Sequence, residues 1–504
     1  MSETIVSVSV VLVFTFITLG IGLFGWAKKL DKSAKDFFVA SRTLGFIALF
    51  FTYTATYHSA SAFLGTGGFL YRHGMSYWAM GPYTQALGGI LLYIFGSRIW
   101  LLGKKFDMYS PGDLFEMYYQ SKFLKMITGI TVAAFVIPYI QLQLAGSGWL
   151  VEHVTRKEIG YFAGATITGI VVLIYVYLGG MRSVAWTDVF MGVFMFVAMV
   201  AGCWYLTDML FGGATAAWGL VREKAPELLV LPGKANFFSI PMAFSWTVNI
   251  TLASSVCAPY VILRMFSANS IKTLKWVGVL SPIYLIWIYI SYVWFGLATG
   301  AAVPGIKFPD NNLPNALFDQ ASVFFAALVC AGGLAATLST ANSQLHAVGT
   351  LVARDCYCAV KKDASESSQV WVTRITVVAI FSLSLYFARK APPLLSMLVS
   401  VATGGMAQLT PLLVGVLFWP RATKPGAICG FMTGLLLTCV LQFNLAAQLK
   451  PLSAFMTPGF WGLMANALVF VGVSLVTKPL PVEVIKSFHG YLASDEAQRL
   501  LKNG

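Results

Sequence analysis

The stretch 51-FTYTATYHSASAFLGTGG-68 is polar, although apolar sequence leads directly into it. It carries threonines, tyrosines, serines and one histidine, and it ends in a run rich in glycine. Irregular backbone at membrane depth is tolerated only where it is buried in protein or lines a water-filled cavity. If the surrounding chain spans a bilayer, this stretch therefore predicts a broken helix that faces water, an ion or a solute.

The composition indicates that the lipid bilayer is the environment of this chain. Of 504 residues, 58% are hydrophobic and 11% are charged, whereas a soluble domain carries about 25% charged residues. A helix of about 20 mostly apolar residues crosses the hydrocarbon core. We expect an all-α polytopic membrane protein with about 13 transmembrane helices, near residues 5–26, 44–70, 77–103, 124–151, 158–178, 184–210, 238–263, 274–302, 321–352, 372–388, 394–419, 425–444 and 459–477.

The net charge of +14 follows the predicted topology. With the N-terminus outside and the C-terminus cytoplasmic, most Lys and Arg residues fall on the cytoplasmic side, as the positive-inside rule requires. The first inner loop alone holds Lys28, Lys29, Lys32, Lys35 and Arg42. We therefore expect a multi-pass protein of the plasma (inner) membrane, and no nucleic-acid partner. The tail 478–504 is too short for a catalytic domain, so an enzyme is not expected.

A second interrupted segment, 245-SWTVNITLASSVCAP-259, follows the first after five predicted helices. Broken hydrophobic segments at corresponding positions of two halves point to the binding site of a transporter. Because five is odd, the second unit is inverted relative to the first. This organisation predicts one transmembrane domain, divided into 1–43 (helix 1 and first inner loop), 44–210 (first repeat), 211–237 (outer connection), 238–419 (second repeat), 420–477 (helices 12 and 13) and 478–504 (cytoplasmic tail).

The predicted helix 9, 331-AGGLAATLSTANSQLHAVGTLVARD-355, carries a polar stripe. Residues three or four apart share one helix face. Hydroxyl groups in membrane helices often bond back to the i−4 carbonyl and have no further role. A whole stripe opposite a broken helix instead indicates oxygen ligands for a cation such as sodium. The stripe comprises Ala336, Ser339, Ser343 and His346, flanked by Thr340 and Asn342.

Charged residues are scarce within the predicted spans. An intramembrane carboxylate such as Asp188 is a functional hypothesis by default. The alternative is that Asp188 pairs at a helix end with Arg182 or another basic residue. Arg264, at the predicted inner end of helix 7, is either functional or an anchor of the positive-inside kind.

The solute is expected at the midplane, between helices 2, 3, 4, 7 and 11. No Lys or Arg lies deep in a span, so a carboxylate would be met by helix N-termini, hydroxyls, amides or the ion itself. A small organic solute fits, namely a monocarboxylate, a vitamin acid or an amino acid, and a sugar stays open. Candidate contacts, each of which could also be ordinary helix packing, are Tyr53, Tyr57, Ser61, Tyr83, Gln85, Tyr139, Gln143, Trp246 and Asn249.

Four landmarks give the chain a resemblance to a known family. They are 42-RTLG-45 leading into TATYHSASAFLGTGGFLYRHG, then 179-GGMRSVAWTD-188, 257-CAPYVILR-264 and 338-LSTANSQL-345. In this order they resemble the sodium:solute symporter family. The stretch TATYHSASAFLG and 101-LLGKKFDMYS-110 are most similar to its pantothenate and monocarboxylate permeases. The resemblance implies a LeuT-like fold with inverted five-helix repeats, and sodium-coupled uptake of the solute by alternating access.

The resemblance also implies ion sites. The main sodium site would use the carbonyls of Ala55, His58 and Ala336 and the hydroxyls of Ser339 and Thr340. Some members have a second ion site, which here would use Asp188, Asn342 and Ser343. Two departures from the family pattern lie at that second site: Met191 stands in place of Gln, and Asn342 in place of Ser.

Two other hypotheses stay open on the sequence. A titratable ring at His58 could couple transport to protons, with Asp188 or His346 as a relay. A membrane sensor that works with a separate partner is the second alternative, although no obligate protein partner is expected.

Overall fold

The computed structural model describes residues 3–27, 33–78, 81–233, 238–303, 305–361, 363–392 and 394–503. Three basic residues of the predicted first inner loop, Lys28, Lys29 and Lys32, lie outside this range. Within it the chain is helical and forms no strand. The helices are α1 (Glu3–Ala27), α2 (Ala34–Val39), α3 (Phe46–Tyr57), α4 (Thr66–His73), α5 (Met75–Trp78), α6 (Gly81–Leu91), α7 (Ser97–Lys105), α8 (Pro111–Tyr119), α9 (Lys122–Val154), α10 (Tyr161–Phe211), α11 (Ala214–Lys224), α12 (Ile240–Leu252), α13 (Pro259–Ser267), α14 (Ile271–Ala302), α15 (Asn312–Gln320), α16 (Val323–Leu351), α17 (Cys358–Val360), α18 (Glu366–Ala388), α19 (Leu395–Met406), α20 (Thr410–Phe418), α21 (Lys424–Gln442), α22 (Lys450–Phe455), α23 (Pro458–Val476), α24 (Val482–Ile485) and α25 (Asp495–Asn503).

Eleven helical segments of the described chain are long and apolar enough to cross a membrane. The longest, α10, has 51 residues and would measure about 77 Å, more than twice the hydrocarbon thickness. Gly180 lies inside it with a φ of 62°, which divides it into two arms that match the predicted segments 158–178 and 184–210. The predicted segment 44–70 is α3 and α4 with a break between them. The total of 13 spans stays a prediction.

Both predicted interruptions are present in the backbone. The helix α3 ends at Tyr57, and His58 is extended, with φ −88° and ψ 103°. In the second half, a wide π-helical turn over Ala253–Cys257 ends at Ala258, which is extended with φ −61° and ψ 131°. Pro259 then begins α13, and a proline disfavours helical conformation in the residue before it. Each break frees backbone carbonyls and N–H groups inside the bundle.

The helix α16 lies at the centre of the bundle. It packs against α10, α9, α1 and α3, and from Val329 to Leu351 every side chain on it is buried. A helix that is buried on all faces has no lipid-facing side, so its polar residues must find partners within the protein. By contrast, α1 exposes many of its large apolar side chains, as expected of a helix that faces lipid.

The short helix α8 is capped by the Ser110 hydroxyl and has Pro111 in its first turn. The carboxylate of Asp113 completes the cap, and it lies 2.7 Å from the Lys125 ammonium of α9. Although burial opposes ionisation, Lys125 and Arg354 hold the pKa of the Asp113 carboxyl below its usual value. These charges hold α8 against the bundle. The tail packs nearby, because Phe106, shortly before α8, stacks on Phe488.

Candidate functional site

The carbonyl and hydroxyl oxygens predicted for the main sodium site lie together between α3 and α16. The Ser339 hydroxyl donates to the Ala55 carbonyl at 2.9 Å and lies 3.2 Å from the Ala336 carbonyl. The Thr340 hydroxyl lies 3.1 Å from the carbonyls of His58 and Ala336. These five oxygens, three backbone carbonyls and two hydroxyls, therefore form one hydrogen-bonded cluster.

This set of donors fits a hard monovalent cation. Sodium and similar ions take oxygen ligands, and five neutral oxygens need no carboxylate to balance a single charge. The Thr340 hydroxyl also lies 3.1 Å from the Thr56 carbonyl, which the sequence motif did not single out. Its signal is only its place in the last turn of α3, where the carbonyls have no intrahelical partner.

A polar cavity lies beside this cluster, with a volume of about 60 Å³. Such a volume holds a few water molecules. No Lys, Arg, Asp or Glu is among its lining residues in the described chain. The cavity is lined by Tyr57, Ser59, Ser61, Ala62, Tyr77, Gly81, Thr84, Gln85, Tyr139, Trp246, Ile250, Ser254, Tyr289, Ser396 and Val399.

Five of the nine candidate solute contacts line the cavity. They are Tyr57, Ser61, Gln85, Tyr139 and Trp246.

The other four candidates lie elsewhere. Tyr83 is 63% exposed on the outside of α6. The next two residues of the helix, Thr84 and Gln85, line the cavity instead. Asn249 donates to the Thr403 hydroxyl at 3.1 Å, and Gln143 accepts the Ala60 N–H at 2.9 Å. Tyr53 is buried against Tyr57. In this structure these four side chains are not among the cavity-lining residues, in line with the alternative of ordinary helix packing.

Sequence reasoning missed two residues of the cavity wall. Ser396 stands in the first turn of α19, and its hydroxyl lies 2.6 Å from the Ser61 hydroxyl across the cavity. Tyr289 of α14 packs against the His58 ring, with centroids 5.7 Å apart. The sequence analysis placed the predicted helix 11 (394–419), which contains Ser396, beside the solute but named no residue on it. It did not place the predicted helix 8 (274–302), which contains Tyr289, at the site. Neither residue belongs to a polar cluster that would have marked it.

A second polar cluster surrounds Asp188, which is fully buried. Asn342 donates to one carboxylate oxygen at 3.2 Å, and the Thr52 hydroxyl donates to the other. The basic partner of this carboxylate is Arg264, at 3.2 Å. Arg264 is itself 3% exposed, so it is not a surface anchor.

The other basic residue considered for Asp188 has a different partner. Arg182 lies 2.8 Å from the Asp36 carboxylate. Of the partners left open for Asp188, the one in contact is therefore not Arg182 but another basic residue, Arg264, 76 positions away.

The two histidines of the proton hypothesis each have a backbone carbonyl near one ring nitrogen. His58 is fully buried, and its Nδ1 lies 3.4 Å from the Thr54 carbonyl, while its Nε2 has no hydrogen-bond partner. The His346 Nε2 lies 3.1 Å from the Phe38 carbonyl. No hydrogen bond links either ring to Asp188 among the described residues, so the geometry does not form the proposed relay.

A short segment between α14 and α15 contacts the start of α19 and the helix α4. Its Asp310 carboxylate accepts the Leu395 N–H at 2.7 Å, one residue before the cavity-lining Ser396. The same side chain packs so tightly on Gly68 that a Cβ there would lie 2.0 Å from its Oδ1. Burial raises the pKa of Asp310 to about 7, although the Leu395 N–H and Arg72 favour the ionised form.

The sequence is similar to those of known sodium-coupled transporters. The family model described as the sodium:solute symporter family matches residues 37–434. The sodium/pantothenate symporter of Escherichia coli is 26% identical over 444 residues, which are 85% of this chain and 89% of that protein. The high-affinity proline transporter PutP of Bacillus subtilis is 27% identical over 379 residues, covering 74% and 77%.

Solved structures agree at the level of the fold. The structure of a Na⁺-coupled sialic acid symporter in a substrate-bound outward-open state matches with a TM-score of 0.77 and 17% identity, over 94% of this chain and 98% of that one. The fold is therefore that of the LeuT-like symporters. Since the family model spans most of the chain, the protein belongs to the sodium:solute symporter family, with sodium as its coupling ion.

Proposed function

We propose that this protein imports a small organic acid, a monocarboxylate, vitamin acid or amino acid, together with sodium by alternating access. The main support for the proposal is that the oxygen cluster at Ser339 and Thr340 lies next to the polar cavity. His58 gives its carbonyl to the first, and its neighbour Ser59 lines the second. One stretch of unwound backbone thus joins ion and solute, so that occupancy of one site can order the other.

Two helix N-termini support a carboxylate as part of the solute. The helical segment after the first break and the helix α19 both begin at the cavity, where Ser61 and Ser396 face each other at 2.6 Å. Helix N-termini carry a partial positive charge and attract anions. With no basic side chain in the wall, the site suits a single carboxylate and disfavours a multiply charged anion.

One buried acceptor supports a hydrogen-bond donor elsewhere on the solute. The Gln85 Oε1 atom is buried in the cavity wall without a partner. A buried acceptor of this kind is costly unless it is satisfied. A hydroxyl, amide or ammonium group on the same small acid would satisfy it. The E. coli relative is named for pantothenate and the B. subtilis relative for proline, and both names fall within this class.

The proposed orientation places α8 and the tail in the cytoplasm and the Asp310 segment outside, in the plasma membrane. Its support is the excess of Lys and Arg on the α8 side of the predicted topology.

A thermal-stability screen of small acids and amino acids, run in sodium and in potassium, tests the proposal. A ligand that binds only the sodium-loaded protein raises Tm in sodium alone, through linkage. Each hit is compared with its carboxamide, which should lose the stabilisation. Ser61→Ala should reduce the rise in Tm that the ligand causes. Tyr83→Phe, on the exposed side of α6, is the matched control and should leave that rise unchanged. Stabilisation by amides as strong as by acids would overturn the carboxylate assignment.

A further inference from the structure

The cluster around Asp188 already contains a cation. The Arg264 Nη2 atom lies 2.6 Å from the Thr56 hydroxyl, 2.9 Å from the Thr52 hydroxyl and 3.2 Å from the Asp188 carboxylate. It also donates to the Ser343 hydroxyl. These oxygens come from α3, α10 and α16, and they surround the guanidinium as they would surround a metal ion.

The charge of the cluster is balanced without a second ion. Asp188 contributes one negative charge and Arg264 one positive charge, and both are almost completely buried. A sodium ion among the same oxygens would lie within a few ångströms of the guanidinium, where repulsion between like charges is strong and water screens it little. Nothing in the described cluster would compensate its desolvation.

With Arg264 in place, the neighbouring polar groups are also oriented unfavourably for sodium. Asn342 presents its Nδ2 atom to Asp188 at 3.2 Å and to the Tyr175 hydroxyl at 3.2 Å. Amide hydrogens repel a cation, and the Asn342 oxygen instead accepts the Ser343 hydroxyl at 2.9 Å. Two of the three residues suggested for a second ion site are thus engaged with each other and with Arg264 or Asp188.

We propose that the Arg264 guanidinium is the permanent cation of this cluster, so that the protein binds a single sodium ion, at the site between α3 and α16. The inference rests on the proposed function, because it concerns the stoichiometry of the same coupling. Asp188, Asn342 and Ser343 then act as positioning residues that hold α10 and α16 against the Arg264 side chain.

Saturation binding of ²²Na⁺ to the purified full-length protein tests this stoichiometry without knowledge of the solute. We expect one sodium ion per chain in the wild type and, in Ser339→Ala, a binding midpoint shifted about 10- to 150-fold to higher sodium concentration. Arg264→Gln frees the Asp188 carboxylate and should bind two. Arg264→Lys keeps the positive charge and should bind one.

The outcomes separate the two proposals. Two ions in the wild type would overturn the inference and leave sodium coupling intact, whereas no bound sodium would contradict the proposed function itself. One ion in both Arg264→Gln and the wild type would show that the guanidinium does not exclude a second ion. Should Arg264→Gln fold poorly, the Asp188→Asn/Arg264→Gln pair removes both charges and is expected to bind one ion; two would overturn the inference.

Discussion

Replacing Ser339 by Ala removes one of the two hydroxyls, with that of Thr340, that bridge both halves of the sodium site. The Ser339 hydroxyl lies 2.9 Å from the Ala55 carbonyl of α3 and 3.2 Å from the Ala336 carbonyl of α16. With sodium bound, the hydroxyl oxygen is one of five neutral ligands. A hydrogen bond or equivalent contact to a charged group contributes about 1.5–3 kcal/mol, so sodium affinity should fall about 10- to 150-fold.

The same substitution has a smaller effect without sodium. It removes one buried hydrogen bond, which contributes about 1 kcal/mol, and so lowers Tm slightly in potassium. Tm measured against sodium concentration separates the two effects, because the midpoint reports affinity and the potassium value reports stability. Thr340→Ser keeps a hydroxyl at the neighbouring position and should keep a midpoint close to the wild type.

An unchanged midpoint in folded Ser339→Ala would refute the assignment of these oxygens to sodium. A change in the potassium Tm alone would mean that Ser339 is only a packing and hydrogen-bonding residue.

Three further predictions concern the first helix break, at His58, and the segment around Asp310 that packs on Gly68. Because burial raises the pKa of Asp310 to about 7, its contribution to stability is complete below its ordinary pKa near 4 and is lost as pH rises through 7. Tm should therefore fall between about pH 4 and pH 7 in the wild type and less in Asp310→Asn; equal slopes would contradict this. Gly68→Ala places a methyl group 2.0 Å from the Asp310 carboxylate, and overpacking of this kind costs about 1–3 kcal/mol. We expect faster proteolysis at this segment in Gly68→Ala but not in Gly219→Ala, where a Cβ meets no atom within 4 Å. His58→Leu should leave the sodium midpoint unchanged, because only the His58 carbonyl faces the ion; a large shift would give the ring a role.

The two breaks could be predicted because their physical cause is local. Hydroxyls, glycine and proline within apolar sequence are costly in lipid, so their presence indicates a cavity. The structure places extended residues at His58 and Ala258, inside the two quoted stretches. The polar stripe on α16 could be predicted for the same reason. Ser339 and Thr340 lie on the face of α16 that contacts the backbone at the end of α3.

The cavity wall was less predictable because helix phase is hard to read in a membrane. When both the lipid face and the core face of a helix are apolar, no amphipathic pattern shows which side a polar residue occupies. Tyr83 and Gln85 of α6 are two residues apart, and only Gln85 faces the cavity.

The partner of Asp188 depended on long-range packing. Arg182, six residues earlier in the sequence, pairs with Asp36, while Arg264 comes from the inverted repeat. Only the arrangement of α10 against α3, α13 and α16 decides between them.

Sodium-driven accumulation in proteoliposomes tests the central claim most directly. The solute is the small acid that stabilises the protein only in sodium, and its uptake is measured with an inward sodium gradient and with an equal potassium gradient. We predict accumulation above the external concentration with sodium, equilibration at most with potassium, and loss of the sodium effect in Ser339→Ala. Equal accumulation with either ion would contradict sodium-coupled transport.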